Sequence, residues 1–333
     1  MKKEEEEVEA ICAALARARQ FLRTVDAQPP DGAPSTTVGF VHSVYREVLY
    51  DRIPVARRVR LHGAIARALE AATAGASGDR EADLAWHYTR ARDARNAVPY
   101  LQLAAGRALR RDAYKEAIGH LKTGLHLVGE LPAGEDIGVE VDLLDMLGLA
   151  LLVGEGWGHP DIEPSLRRAL ALSKEHDDLP RLSLLLYHLS AMHEMRGQHD
   201  KSQELLEQRL RIETSVADST PLLESHELLA CSMFHQGGYE KSLAHAEAGL
   251  ALYDPERHLA LIASMAGENL GVSCMCWAAL DLWFLGHADR AGERIGQALE
   301  LAGDPAHSYS LARTHEHVAT LHQLRREPQS VLE

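Results

Sequence analysis

Gly237-Gly238-Tyr239-Glu240-Lys241-Ser242-Leu243-Ala244-His245-Ala246-Glu247-Ala248-Gly249-Leu250 is the stretch whose reading decides the fold. Two glycines supply a turn, and Ser242, Ala246 and Leu250 then recur every four residues, so they share one face of a helix. The same order of turn, small residue and apolar ladder returns at Asp112-Ala113-Tyr114 with Ala117, Leu121 and Leu125. It returns again at Gly197-Gln198-His199 with Ser202, Leu206 and Leu210, and at Gly286-His287-Ala288 with Ala291, Ile295 and Leu299. A weaker copy follows Trp157-Gly158-His159, with Leu166, Ala169 and Leu170 in the matching places.

Taking Tyr114, His159, His199, Tyr239 and Ala288 as equivalent gives spacings of 45, 40, 40 and 49, a unit of about forty residues. Before each turn lies a second apolar segment of helix length: Val139 to Val153, Leu179 to Met195, Leu222 to His235, and Val272 to Leu285. Helical hairpins repeated head to tail bury their faces on their neighbours, because no single hairpin can enclose its own. The sequence therefore predicts an all-α solenoid. Gly124 and Gly249 sit inside second helices, where Gly costs about 1 kcal/mol relative to Ala, and close helix approach is the compensation expected. Pro255 and Pro305 fall where these helices should stop.

Composition agrees with helices: hydrophobic residues make up 46%, yet aromatics only 5%, and Leu and Ala dominate. The net charge of −14 is uneven, since residues 1–100 carry 15 Lys/Arg and 14 Asp/Glu whereas residues 101–333 carry 20 and 35. Such an acidic second part repels phosphate backbones and suits a basic or amphipathic peptide better. Cys12, Cys231, Cys274 and Cys276 show no disulfide-framework spacing, and Met1-Lys2-Lys3-Glu4 leads into acid rather than an apolar signal segment, so a cytoplasmic protein is expected. The most apolar stretch, Cys274 to Leu285, is too short to span a bilayer and contains Asp281.

Residues 1–72 break the repeat. A charged helix from Glu4 to Phe21 or Leu22 leads into a Pro/Gly/Ser/Thr-rich stretch, Gln28 to Thr37. A β-prone run from Thr37 to Val41 follows, then helical segments from His42 to Tyr50 and from Val55 to Ala72. Helix, loop, strand, helix suggests the tail of a winged-helix module. Residues 73–80 read as a linker and 81–333 as the repeat domain.

The turn Gly237-Gly238-Tyr239-Glu240-Lys241-Ser242 with the later Pro255 resembles the tetratricopeptide repeat, although that family's period is about 34 residues and these units are longer. The run Phe40-Val41-His42-Ser43-Val44-Tyr45-Arg46-Glu47-Val48-Leu49-Tyr50, with Ile53-Pro54, Arg57-Arg58 and Leu61-His62, resembles the segment after the nucleotide-binding module in bacterial signal-transducing ATPases of the STAND class. Ala82-Asp83-Leu84-Ala85-Trp86-His87-Tyr88 is similar to the first helix that follows it there. Leu252-Tyr253-Asp254-Pro255-Glu256-Arg257-His258 and Trp283-Phe284-Leu285-Gly286 resemble the repeat arm of the same proteins. In that family an AAA-type ATPase lies upstream, and the arm often accompanies a class III adenylate cyclase or a DNA-binding domain.

The resemblance implies a non-catalytic, protein-binding sensor and scaffold arm. Mapping the tetratricopeptide groove positions onto the first helices gives Tyr187, Glu194, Glu224, Glu227, Phe234, Trp283 and Phe284, acid interleaved with aromatics. Asp254, Glu256, Arg257 and His258 form a dense polar loop that either shapes a ligand pocket or ends a helix with local hydrogen bonds.

No chemistry is legible. No Gly-Lys dipeptide occurs, which removes a Walker-type phosphate loop, and no Gly-x-Ser-x-Gly elbow is present. The 19 histidines include no His-Glu-x-x-His helix; His315, His317 and His322, and His193 and His199, are read as turn, surface and capping residues. Cys274 and Cys276, two apart, are read as small core residues. The expectation is no enzyme, no cofactor and no metal. The rival readings are a free-standing tetratricopeptide adaptor, a winged-helix DNA-binding regulator that uses Arg57, Arg58 and Arg60, and a metal-dependent enzyme.

Overall fold

A computed structural model describes residues 2–18, 21–25, 37–73, 80–132, 134, 137–213, 219–258, 268–303, 308–327 and 329. Most of the Pro/Gly-rich stretch 28–37, the linker residues 74–79 and Pro305 lie outside the described residues. The chain divides into two compact units, Met1–Tyr100 and Leu101–Glu333.

The first unit opens with α1 (Lys2–Ala18), β1 (Leu22–Val25), β2 (Thr37–Phe40), α2 (Ser43–Arg52), α3 (Val55–Thr73) and α4 (Glu81–Arg90), and α5 (Ala94–Leu109) begins in it. The two strands pair antiparallel, Leu22 opposite Phe40 and Val25 opposite Thr37. The sequence predicts a first helix reaching Phe21 or Leu22 and a single strand; instead α1 ends at Ala18 and Leu22–Val25 is the partner strand. A lone strand at Thr37–Phe40 would leave its backbone amides unpaired, and that demand is met by residues more than ten positions away. Local periodicity does not reveal it. Farther on, Glu70 of α3 accepts hydrogen bonds from the Tyr88 and Tyr100 hydroxyls, both at 2.5 Å, and the two rings stack with centroids 5.7 Å apart.

The second unit is built from α6 (Tyr114–Val128), α7 (Ile137–Glu155), α8 (Ile162–Glu175), α9 (Leu179–Met195), α10 (His199–Glu213) and α11 (Thr220–His235). It continues through α12 (Tyr239–Leu252), the single turn α13 (Pro255–His258), α14 (Leu270–Phe284), α15 (Ala288–Ala302) and α16 (Ser308–Leu324). Hairpins α7/α8, α9/α10, α11/α12 and α14/α15 stack in chain order. The first helices α9, α11, α14 and α16 also touch one another in succession, while among the described residues the second helices make no comparable contact. The first helices therefore form the closer-packed layer of this solenoid.

The repeated turn has a repeated cause. Gly197, Gly237 and Gly286 adopt φ of 66°, 77° and 87°, the left-handed region where a Cβ is strained. The next amide then reaches back to close the helix: Gln198 N to His193 O at 2.9 Å, Gly238 N to Met233 O at 2.9 Å, His287 N to Leu282 O at 2.8 Å. Asp112 makes the same turn at φ 57° without glycine, with Ala113 N on Ala108 O at 2.9 Å.

The apolar ladders face inward as the spacing requires. Ala117 and Leu121, Leu166 and Ala169, Ser202 and Leu206, Ser242 and Ala246, and Ala291 and Ile295 are all buried, while the third rungs Leu125, Leu210, Leu250 and Leu299 are half-buried. Cys274 and Cys276 are buried free thiols of α14. No described helix is long and apolar enough to cross a membrane.

Gly249 shows why glycine is used inside a helix. A Cβ there would stand 2.9 Å from Cys274 Sγ and 3.4 Å from Leu223 Cδ1, and one at Gly124 would stand 3.2 Å from Leu143 Cδ1. Gly249→Ala is expected to lower stability by about 1–3 kcal/mol despite Ala's better helix propensity, because α14 must shift to accept the methyl. Urea denaturation measures this, and Cys274→Ala in the same chain should return part of the loss.

Candidate functional site

The first-helix layer of the second unit is unusually polar inside, and the sequence explains how. Tyr187, Glu194, Glu224, Glu227 and Phe234 lie on α9 and α11, whose sequences are apolar nearly all round, so polar residues there are enclosed with the rest. Enclosed charges need partners. The structure supplies them in three groups.

The first group surrounds Arg209 of α10, which is 2% exposed. Its Nε lies 2.5 Å from Glu213 Oε1, its Nη2 donates to Glu224 Oε2 at 2.6 Å, and its guanidinium sits 4.7 Å from the centre of the Tyr187 ring. Glu213 also accepts from the Ser183 hydroxyl at 2.7 Å and the Ser225 hydroxyl at 3.2 Å. Burial pushes the Glu213 carboxyl above its ordinary range, against the pull of Arg209 and the two serines.

The second group centres on Glu227, which accepts from the Ser273 hydroxyl at 2.5 Å and from Trp277 Nε1 at 3.0 Å. Nearby, Arg313 of α16 pairs with Glu268. Burial, then the charge of Glu227, raises Glu268 to about 7. His317 meets the edge of Trp277 at 4.9 Å.

The third group joins α9, α10 and α11. Glu194 is 4% exposed; its Oε1 is 2.8 Å from His199 Nδ1, 3.6 Å from His235 Nδ1 and 3.9 Å from Cys231 Sγ. Cys231 Sγ is 3.7 Å from His235 Nδ1, and the His199 and His235 rings stack at 5.5 Å and 11°. Burial alone would raise Glu194, but the nearby donors His235 and Ser232 and the charge of His199 hold it below the ordinary range. Its Oε2 is enclosed without a hydrogen-bond partner.

Aromatic side chains border these groups. Phe234 lies 5.3 Å from Trp277 and 5.8 Å from Phe284, and Tyr239 stacks on Phe284 at 4.5 Å and 6°. Phe284 is 43% exposed. Tyr239 also lines a cleft of about 430 Å³ at the turn ends of the hairpins, together with Gln203, Gln236, Lys241 and Leu285.

Of the residues singled out from the sequence, Tyr187 and Glu224 thus meet through Arg209, and Phe234 and Phe284 meet directly. Glu194 and Glu227 are buried and engaged by their own neighbours, and Trp283 packs half-buried against the core of α11, α14 and α15. The polar loop is local: the Asp254 carboxylate accepts from the Glu256 amide at 3.0 Å, Asp254 N donates to His258 Nδ1 at 2.9 Å, and His258 is buried against Tyr253. Glu256 and Arg257 are exposed there. Sequence reading misses Arg209, His199, Cys231, His235, Trp277 and Arg313. One signal was present for two of them, since Cys231 and His235 are four apart on one helix.

The first unit, taken by itself, carries a different surface. Leu15, Phe21, Phe40, Val44, Val48 and Leu49 line an apolar cleft of about 610 Å³, and α2 buries no residue at all. Arg58 pairs with Asp51 at 3.4 Å and lies 4.9 Å from the Tyr50 ring centre, while Arg57 and Arg60 are exposed.

No protein-family model matches the chain. An uncharacterized protein of Rhizobium meliloti is 23% identical over 283 residues, covering 84% of this chain and 27% of that protein. The chain thus spans about a quarter of the length of this curated relative. Among solved structures, a signal transduction ATPase with numerous domains (STAND) with a tetratricopeptide repeat sensor, from Pyrococcus horikoshii, aligns with TM-score 0.57 and 13% identity, over 74% of this chain and 38% of that one. A Rap protein complexed with competence and sporulation factor aligns with TM-score 0.51 and 11% identity over 84% and 94% of the two chains. NprR in complex with its cognate peptide NprX aligns with TM-score 0.50 and 12% identity over 87% and 80%. At such identities the likeness is one of fold, that of tetratricopeptide-like helical repeats.

Proposed function

We propose that the second unit is a non-catalytic, peptide- or protein-binding arm, and that it serves as the sensor of a STAND-type signalling ATPase whose nucleotide-binding module is not in this sequence. One observation carries the binding role: Phe284 is exposed at the edge of an aromatic cluster, next to an open polar cleft, on a unit with a strong excess of acid. Aromatic anchors beside adaptable polar groups are what a peptide-binding surface needs. The fold likeness to a STAND protein with a repeat sensor, and to two repeat proteins solved with peptide ligands, supports the same reading.

The ligand would be a basic or amphipathic segment, with Tyr187, Phe234, Trp283 and Phe284 as aromatic contacts and the unit's excess of acid setting the sign of the field, while Glu194, Glu224 and Glu227 hold the layer behind them together. Asp254, Glu256, Arg257 and His258 belong to the same arm as a loop that fixes the end of α12. Residues 1–72 would be the winged-helix-like module beside the ATPase, 73–80 the linker and 81–333 the repeats. Partner binding would shift the arm between packed and open states only as far as the partner's affinity differs between them.

The test uses fluorescence anisotropy of a labelled amphipathic Lys/Leu peptide with the full chain. Phe284→Ala, a substitution at a half-exposed position, should weaken binding by at least about tenfold, as loss of a hot-spot aromatic does. Equal affinity in the variant would remove the aromatic patch as the site. Tight ATP binding in calorimetry would contradict the division of labour. Salt-sensitive duplex DNA binding lost on replacing Arg57 and Arg58 by Ala would favour a DNA-binding regulator instead.

A further inference from the structure

We propose that Glu194, His199, Cys231 and His235 form a zinc site that clamps the α9/α10 hairpin to α11. The donors come from three short elements that the repeat fold sets side by side. Glu194 closes the last turn of α9 and His199 opens α10 across the Gly197 turn, while Cys231 and His235 project from one face of α11 at the four-residue spacing. A glutamate, a thiol and two imidazoles are the donors that zinc takes in four-coordinate sites.

Part of the geometry that such an ion needs is already in place. Zinc binds sulfur at about 2.3 Å and nitrogen or oxygen at about 2.0–2.2 Å, so the edges of its tetrahedron measure about 3.3–3.7 Å. Three edges are already close to that: Glu194 Oε1 to His235 Nδ1 at 3.6 Å, Cys231 Sγ to His235 Nδ1 at 3.7 Å, and Glu194 Oε1 to Cys231 Sγ at 3.9 Å. The fourth donor, His199 Nδ1, stands 2.8 Å from Glu194 Oε1 and must open by roughly half an ångström. Among the described residues, Glu194, His199 and His235 form a group whose ligand atoms all lie within 4.8 Å of one another; Cys231 stands beside Glu194 and His235 but outside that group, and its side chain must swing toward His199 to complete the four.

An independent observation points to a missing partner. Glu194 is 4% exposed, yet its Oε2 makes no hydrogen bond, which is a costly state for a buried carboxylate oxygen. A cation held on Oε1 would neutralise the carboxylate whose second oxygen is stranded, and the sum of a thiolate, a carboxylate, two neutral imidazoles and Zn²⁺ is zero. Burying a neutral set costs far less than burying an unpaired charge.

Binding requires exchange of two hydrogen bonds. His235 Nδ1, which now bonds to the Cys231 carbonyl at 2.9 Å, and His199 Nδ1 must each give up a proton and turn a lone pair to the ion. The Cys231 thiol loses its proton as well. The His235 side chain is 46% exposed, which gives the ion a route in from solvent. The ring also meets Trp277 at 5.5 Å, beside the aromatic patch, so an occupied clamp would fix the hairpin that carries Phe234.

The experiment takes the full chain, purified without a histidine tag and stripped with a chelator. Titration with zinc alone in a calorimeter should show one saturable site per chain and a rise in thermal midpoint. Cobalt(II) in its place should give the visible bands of a tetrahedral ion together with a thiolate-to-cobalt charge-transfer band, which Cys231→Ser abolishes. His235→Ala alters a half-exposed side chain and should leave the helical circular dichroism unchanged while weakening binding at least tenfold. His226→Ala, outside the cluster, should leave binding unchanged. No saturable binding, a cobalt spectrum lacking the thiolate band, or full affinity in His235→Ala would overturn the proposal.

Discussion

Replacing Arg209 with methionine is expected to lower the unfolding free energy by about 3–5 kcal/mol, the range seen when one partner of a buried ion pair is removed. The guanidinium is the cation for two carboxylates, Glu213 at 2.5 Å and Glu224 at 2.6 Å, and its face covers Tyr187. Methionine fills the space but leaves Glu213, 1% exposed, with only the Ser183 and Ser225 hydroxyls. Glu224 is less enclosed and can turn toward water, so most of the loss falls on Glu213. Urea denaturation at pH 8 measures it. A second substitution, Glu213→Gln, removes the stranded charge and should return more than half of the loss. If the double variant is no more stable than Arg209→Met alone, the damage is one of packing and the ion pair is not its cause.

Asp281→Asn is expected to stabilise the protein at pH 8 and to change it little at pH 4. Asp281 is fully buried in α14, and burial raises its carboxyl to about 7, with only the Ser242 hydroxyl pulling the other way. The hydrogen bonds agree with a protonated group. Ser242 Oγ lies 2.8 Å from the Ala230 carbonyl and 2.6 Å from Asp281 Oδ2. One hydroxyl hydrogen serves one acceptor, so the second contact is completed when Asp281 itself donates.

The unfolded carboxyl titrates near 3.9, so between about 4 and 7 the folded state holds more protons than the unfolded one. Stability therefore falls as pH rises through that window and is level above it. The total is on the order of 4 kcal/mol from the size of the shift. Asparagine keeps the shape and the donor without the charge. Urea midpoints should drop markedly from pH 4 to pH 8 in the natural sequence and less in the variant, the remainder coming from Glu213 and Glu268, which burial shifts in the same direction. Parallel pH curves for the two proteins would rule Asp281 out as the source.

The repeat was legible because its signals are local. The turn glycines, the small first rung and the four-residue ladder are all written within a dozen consecutive residues, and Leu179 to Met195 is one helix in both the sequence and the structure. Leu22–Val25 was not legible, because four residues beside a charged helix become a strand only when Thr37–Phe40 pairs with them. The aromatic and acidic residues of the first helices were identified as types and places, yet their surroundings were not foreseen. Glu194 and Glu227 look like surface carboxylates in a helix pattern, and both are enclosed.

The sequence by itself determined the all-α repeat, its unit of about forty residues, the turns and the buried ladders. Each of these depends on the 3.6-residue period and on backbone conformations set by neighbours in the chain. Only the tertiary structure decided which polar side chains meet. Arg209 finds Glu224 fifteen residues away, Glu227 finds Trp277 fifty away, and Cys231 meets Glu194 thirty-seven away. Stacking of successive hairpins brings those side chains into one desolvated layer, and in such a layer each buried charge takes the partner that geometry offers.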